Sequence, residues 1–208
     1  MTHALMFDLD NTLYSETTGM ELHVLERINE FVSDYLGWPL RETNARRREG
    51  AKRFGTTLEW LVFEMGLKDV ERYFAYTHPE GEEACLHRDD ALRALLESID
   101  LPKTILTNSP LEHAVRVLDA LGIADCFSAV YDIRWNGLVG KPHPKSYLKA
   151  LEASGFRPET TLFIDDHPRY VKGYSAIGGR GLLKDEGGRF ADLGMERITS
   201  LEEIPGLL

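Results

Sequence analysis

Asp8 and Asp10 stand one residue apart, directly after the apolar run Ala4-Leu5-Met6-Phe7. Two carboxylates that close repel unless a cation lies between them, and a hard ion with oxygen ligands is the usual partner. A second acidic pair, Asp165-Asp166, follows the apolar run Leu162-Phe163-Ile164. Between the two pairs come Thr107-Asn108-Ser109 and Lys141, the lysine fixed between Gly140 and Pro142. The Thr107 hydroxyl, the backbone N–H groups after it and the start of the next helix all suit a phosphate. Lys141 is the cation placed to lie among the carboxylates. Together these are the parts of a metal-assisted phosphoryl transfer. One carboxylate attacks phosphorus, another moves the proton, Mg²⁺ screens the charge, and lysine and hydroxyl donors hold the phosphoryl oxygens. Each part also has a plainer reading: Asp-x-Asp is common in loops, Asn108-Ser109-Pro110 suits an ordinary helix cap, and a lysine before proline is usually solvated. Their joint placement, after separate strands, gives the chemical reading its weight.

Residues this far apart converge only if the elements between them return each one to the same edge. The opening strand shows no alternation, as in a parallel sheet buried on both faces. From Glu16 to about His87 the pattern is helical. Met20, Leu22, Leu25, Ile28, Phe31, Val32, Tyr35 and Leu36 recur at helical spacing and stop at Gly37-Trp38-Pro39. A charged helix over 41–54 carries Arg46-Arg47-Arg48; a break at Gly55-Thr56-Thr57, an apolar set from Leu58 to Met65 and a short helix over 70–77 follow. Beyond residue 88, strand and helix alternate, with strands near 103–107, 128–131, 160–164, 181–183 and 197–198 and helices opened by Pro110 and Pro144. This predicts an α/β, doubly wound parallel-sheet (Rossmann-like) core at 1–15 and 88–208, with an all-helical cap at 16–87 inserted after strand 1. In such sheets ligands bind beyond the carboxyl ends of the strands, where all these polar residues fall.

Composition narrows the partners. With 24 Lys and Arg against 34 Asp and Glu, the formal net charge is −10, which argues against a nucleic-acid polymer as partner. A small anionic substrate remains compatible, because a local site can invert the global sign. Cys85 and Cys126 have neither metal-ligand spacing nor disulfide density. No apolar stretch approaches the roughly 20 residues needed to span a bilayer, and no leader segment is visible. The expectation is a cytoplasmic protein without a membrane partner.

The motifs Phe-Asp-Leu-Asp-Asn-Thr-Leu at 7–13, Thr-Asn-Ser at 107–109, Lys141 and Asp165-Asp166 resemble, in order, the four motifs of the haloacid-dehalogenase-like (HAD) phosphohydrolase superfamily. The resemblance covers nearly the whole chain. It is narrower at Asp-Asn-Thr-Leu-Tyr (10–14), Phe-Gly-Thr-Thr-Leu (54–58) and Leu-Thr-Asn-Ser-Pro-Leu-Glu-His-Ala (106–114), which look like the pyrimidine 5′-nucleotidase branch. It implies Asp8 as nucleophile and Mg²⁺ ligand, and Asp10 as general acid then base with its backbone carbonyl on the metal. It further implies Thr107 and the Asn108 region on the phosphoryl group, Lys141 bridging that group and Asp8, and Asp166 as metal ligand with Asp165 direct or through water. His167 and Tyr170 depart from that branch, which usually has a small polar residue and an Asn or Asp there. An aspartate at position 10 disfavours dehalogenation, which needs no such proton carrier. Intact motifs disfavour an inactive HAD-fold binding protein. The expected substrate is a small phosphomonoester, a pyrimidine 5′-nucleotide first and phosphoglycolate or a small sugar phosphate second. Cap candidates for specificity are Arg47, Phe54 and Trp60, with Arg46, Arg48, Tyr73 and His78 beside them. Taken singly, the aromatics suit cap packing and the arginines a solvated face.

Overall fold

The computed structural model describes residues 1–208. β1 (Ala4–Phe7) is followed by four helices: α1 (Met20–Leu36), α2 (Leu40–Phe54), α3 (Thr57–Phe63) and α4 (Val70–Thr77). Alternation then begins with α5 (Asp90–Ser98), β2 (Lys103–Leu106), α6 (Leu111–Leu121) and β3 (Ala129–Tyr131). It continues through α7 (Pro144–Ser154), β4 (Thr161–Asp165), α8 (Pro168–Ser175), β5 (Arg180–Lys184) and β6 (Arg197–Ile198). The strands form one parallel sheet in the order β3-β2-β1-β4-β5-β6. The chain thus builds outward from β1 on one side and then crosses back to build from β4 on the other. The switch point of the sheet lies between β1 and β4, where a crevice opens. Asp8 and Asp10 leave β1 there, and Asp165 ends β4.

Side chains alternate across the sheet as strand geometry requires. Leu5, Phe7, Ile105, Leu162 and Ile164 enter one buried cluster with α5 and α6, whereas Met6, Leu106 and Phe163 enter another with α7 and α8. Both faces are covered, which is why the strands read as continuous apolar runs. The four inserted helices have their own core around Phe31, Leu58, Trp60, Leu61, Tyr73 and Phe74. Their boundaries follow the sequence signals: Gly37 closes α1 in a left-handed conformation (φ 65), and Thr56 caps α3 by accepting from Glu59 N–H at 3.1 Å. No helix is long and apolar enough to cross a membrane. Cys85 and Cys126 are free thiols.

Candidate active site

The β1 and β4 acids meet as their placement predicts. Carboxylate oxygens of Asp8, Asp165 and Asp166 lie within 4.8 Å of one another. Lys141, 1% exposed, reaches between two of them, with Nζ 2.6 Å from Asp8 Oδ1 and 2.7 Å from Asp165 Oδ2. The lysine is held from both sides. Asn108 Oδ1 accepts from Lys141 N–H at 2.7 Å, and Asn108 Nδ2 donates to the Lys141 carbonyl at 3.1 Å. From the helical insertion, Glu59 accepts from Gly140 N–H at 2.9 Å. Gly140 has to be glycine here, because a Cβ would lie 2.3 Å from Asn108 Oδ1.

Burial and the neighbouring carboxylates Asp165 and Asp8 push Asp166 up to about 9. Burial likewise raises Asp165, to about 7, although Lys141 opposes it. Burial also raises Asp8, against the pull of Lys141. The Asp165 oxygens already receive Lys141 and the His167 N–H (2.8 Å), whereas the Asp166 carboxylate accepts no hydrogen bond and lines the open cleft. A half-buried acid without a donor beside two buried acids is compatible with a divalent cation.

Asp10 is surrounded by donors instead. Tyr14 O–H donates to Oδ1 at 2.8 Å, the Ser109 hydroxyl to Oδ2 at 2.7 Å, and His113 Nε2 lies 2.7 Å from Oδ1. Burial alone would raise Asp10, but the His113 charge and these hydrogen bonds outweigh it and hold the carboxyl well below its usual range. His113 is 1% exposed and its other nitrogen meets Glu82 Oε1 at 2.6 Å. Burial opposes its charge, yet the two carboxylates prevail and lift it to about 10, so the ring is an imidazolium. Glu82 also receives Arg27, Arg116 and His78. Arg27, Arg116 and His113 converge on that one carboxylate as an ion-pair knot, while burial lowers the pKa of His78 beside it. Neither His113 nor Glu82 was singled out from the sequence. The available signal was a histidine on the apolar stripe of α6 beside Ala114, Val117 and Leu118.

At the start of α6 the Leu111 N–H is already partnered, donating to Asp132 Oδ2 at 3.0 Å. The Asn108 side chain clamps the Lys141 backbone, and the residue lines the cleft. Thr107 lines the cleft, and its Oγ1 accepts from Ser109 N–H at 3.0 Å. His167 takes the capping role of the small residue expected there, accepting from Arg169 N–H at 3.2 Å. Tyr170 lies under the Lys141 ammonium, 5.2 Å from the ring centre.

The helical insertion roofs a cleft of about 510 Å³ over these residues. Arg47, Arg48, Lys52, Tyr73 and His78 line it; Phe54 and Trp60 do not. Trp60 is 2% exposed, donates Nε1–H to Glu64 at 3.1 Å, and lies against Gly50, where a Cβ would sit 2.3 Å from its ring. Phe54 turns its ring toward Arg53 and gives only its carbonyl to His143. Both pack the insertion: Trp60 of α3 lies in its core and Phe54, at the end of α2, packs against it, while Arg47, Arg48 and Lys52 of α2 line the cleft. Arg169 joins roof to floor, donating to the Lys52 carbonyl at 3.1 Å and to the Ala51 and Gly55 carbonyls at 3.4 Å.

A doubly wound parallel sheet with an acid cluster at its switch point, roofed by a helical insertion after the first strand, defines the class: a HAD-fold protein. The chain belongs to the haloacid dehalogenase-like hydrolase family, whose model matches residues 2–178. Among curated proteins it is 27% identical over 186 residues to the Saccharomyces cerevisiae phosphate metabolism protein 8, covering 83% of this chain and 58% of that protein. It is 32% identical over 114 residues to the Escherichia coli (strain K12) phosphoglycolate phosphatase, covering 53% of this chain and 43% of that protein. The chain thus spans about half the length of these relatives. Among solved structures, a HAD phosphatase from Thermococcus onnurineus shares the fold with a TM-score of 0.66 at 21% identity, covering 100% of this chain and 97% of that one.

Proposed function

We propose that the protein is a Mg²⁺-dependent phosphomonoesterase working through an aspartyl-phosphate on Asp8, with residues 16–87 as cap over a core of 1–15 and 88–208. The observation that carries this reading is Lys141 Nζ seated between Asp8 and Asp165 beside the unpaired Asp166. Lys141 fixes Asp8 Oδ1, while Oδ2 makes a 3.4 Å contact with the Thr12 hydroxyl and is the oxygen assigned to attack. As the Asp8–phosphorus bond forms and the ester bond breaks, Asp10 delivers a proton to the leaving oxygen. That proton is at hand on His113 Nε2, 2.7 Å from Asp10 Oδ1. In the second half, Asp10 takes a proton from the water that attacks phosphorus, releasing phosphate and restoring Asp8. The Thr107 hydroxyl, the Asn108 N–H and Lys141 hold the phosphoryl oxygens. Asp8, the Asp10 carbonyl and Asp166, with Asp165 direct or through water, would hold Mg²⁺, which would supply positive charge to those oxygens.

The motifs shared with the pyrimidine 5′-nucleotidase branch support a 5′-nucleoside monophosphate as substrate. Phosphoglycolate or a small sugar phosphate is the second reading, supported by the names of the relatives and by the basic lining of the roof. The test is phosphate release from UMP, CMP, AMP, phosphoglycolate, hexose phosphates and an aryl phosphate, with Mg²⁺ and with chelator, beside Asp8→Asn. Metal-dependent release that Asp8→Asn abolishes is the expected result. Near-normal turnover in that variant would sink the mechanism, and the preferred substrate would decide between the two classes.

A further inference from the structure

α2 carries six basic residues, and they divide by direction. Arg41 and Arg46 face Glu42 at 3.7 and 3.3 Å, and Arg53 meets Glu64 at 2.6 Å. Arg47, Arg48 and Lys52 line the cleft, and none has a carboxylate partner within 4 Å. Arg47 is 7% exposed and is held by neutral acceptors only: Asn29 Oδ1 at 2.7 Å, Thr57 Oγ1 at 3.0 Å and Asn44 Oδ1 at 3.2 Å. Those bonds use three of its five N–H groups and leave its charge uncompensated. A buried cation without a counter-ion is costly, and burial together with Arg48 depresses its ionisation. Arg48 and Lys52 are one helical turn apart on the same face, with the small Ala51 beside them. Across the cleft stand Asp8, Asp10, Glu21 and Asp166, so the cleft has an acidic floor and a basic roof. In a chain of net charge −10 this local inversion is the opposite of what composition supplies.

We infer that Arg47, Arg48 and Lys52 form a subsite for a second anionic group, a carboxylate or a phosphate, at the end of the substrate distal to the ester that is cleaved. The inference rests on the phosphomonoesterase reading and narrows it to substrates with two anionic ends. A planar guanidinium with open N–H groups pairs with carboxylate or phosphate oxygens, whereas a uracil or cytosine ring would bring no charge to the roof.

The experiment compares matched pairs: phosphoglycolate with ethyl phosphate, and propane-1,3-diol bisphosphate with propyl phosphate, UMP serving as the ester with an uncharged distal end. The wild type is expected to favour the charged member of a pair by about tenfold or more in kcat/KM. That ratio should fall toward one in Arg47→Met and in the Arg48→Met/Lys52→Met double variant, and stay unchanged in Arg53→Met, which faces away. Whichever pair shows the larger ratio identifies carboxylate or phosphate. Calorimetric binding of phosphonoacetate against ethylphosphonate reads the same subsite without turnover, so it holds even if the enzymatic reading fails. Equal binding of those two ligands, or a wild-type ratio near one, overturns the subsite. A preserved binding preference with no hydrolysis of any ester would overturn the phosphomonoesterase reading alone.

Discussion

The floor and the roof of the cleft differ in how their charges are settled. On the floor, Lys141 is shared by two aspartates, and Asp10 is ringed by Tyr14, Ser109 and His113. On the roof, Arg47 meets only neutral oxygens, and Arg48 and Lys52 have no carboxylate partner. Groups that must stay in register through a reaction are over-determined by neighbours. Groups that meet a variable ligand are left for the ligand to complete. On the proposed reading, the difference separates chemistry from selection within one cavity.

The sharpest way to break that contrast is Asp10→Asn, which should lower kcat by about 10²–10⁴ across all substrates while leaving their ranking intact. An unchanged rate would reduce Asp10 to a structural group. Trp60→Ala should act on the other side, costing about 3–5 kcal/mol in urea unfolding because it empties the cap core. If it instead altered substrate ranking without loss of stability, Trp60 would belong to the roof after all.

His113 gives a pH signature. Its folded pKa of about 10 lies above its ordinary value of 6.5, so its stabilisation is complete below pH 6.5 and is lost as pH rises toward 10. Relative to His113→Gln, the wild type should lose up to about 5 kcal/mol of unfolding free energy across that window. Parallel stability curves for the two proteins would show the imidazolium is not formed. Asp166 has the opposite sign: raised to about 9 from 3.8, it makes the metal-free fold less stable as pH rises between those values. Asp166→Asn should therefore gain about 1–2 kcal/mol at pH 8 in chelator. Mg²⁺ should reverse the order by stabilising only the wild type, and a variant that still responded to Mg²⁺ would remove Asp166 from the ligand set.

The floor was largely legible in the sequence because strands buried on both faces read as short apolar runs, and acids placed directly after two such runs mark one edge. The inserted helices were legible from spacing and glycine stops. The phase of α2 was not, since its sequence is basic on every side and only packing decides that Trp60 covers Gly50 while Arg47 faces the cavity. The Asp10–His113–Glu82 link was also hidden, because it joins residues 103 and 31 positions apart that meet only when the chain returns from the cap. The Asn108 clamp was hidden for a similar reason: its side-chain amide finds the Lys141 backbone, a partner 33 residues away.

Arg169 lies three residues after Asp166 and holds the carbonyls at the end of α2. Those two stretches are more than 110 positions apart in the chain, yet they are bound to be inherited together. A cap borrowed from a relative with a different α2 terminus would leave Arg169 without acceptors and free the turn after β4 that carries Asp166. In a lineage that changes its roof, compensating substitutions are therefore expected in the first turn of α8, and chimaeras that exchange residues 16–87 alone should fail where those that also exchange 167–170 succeed.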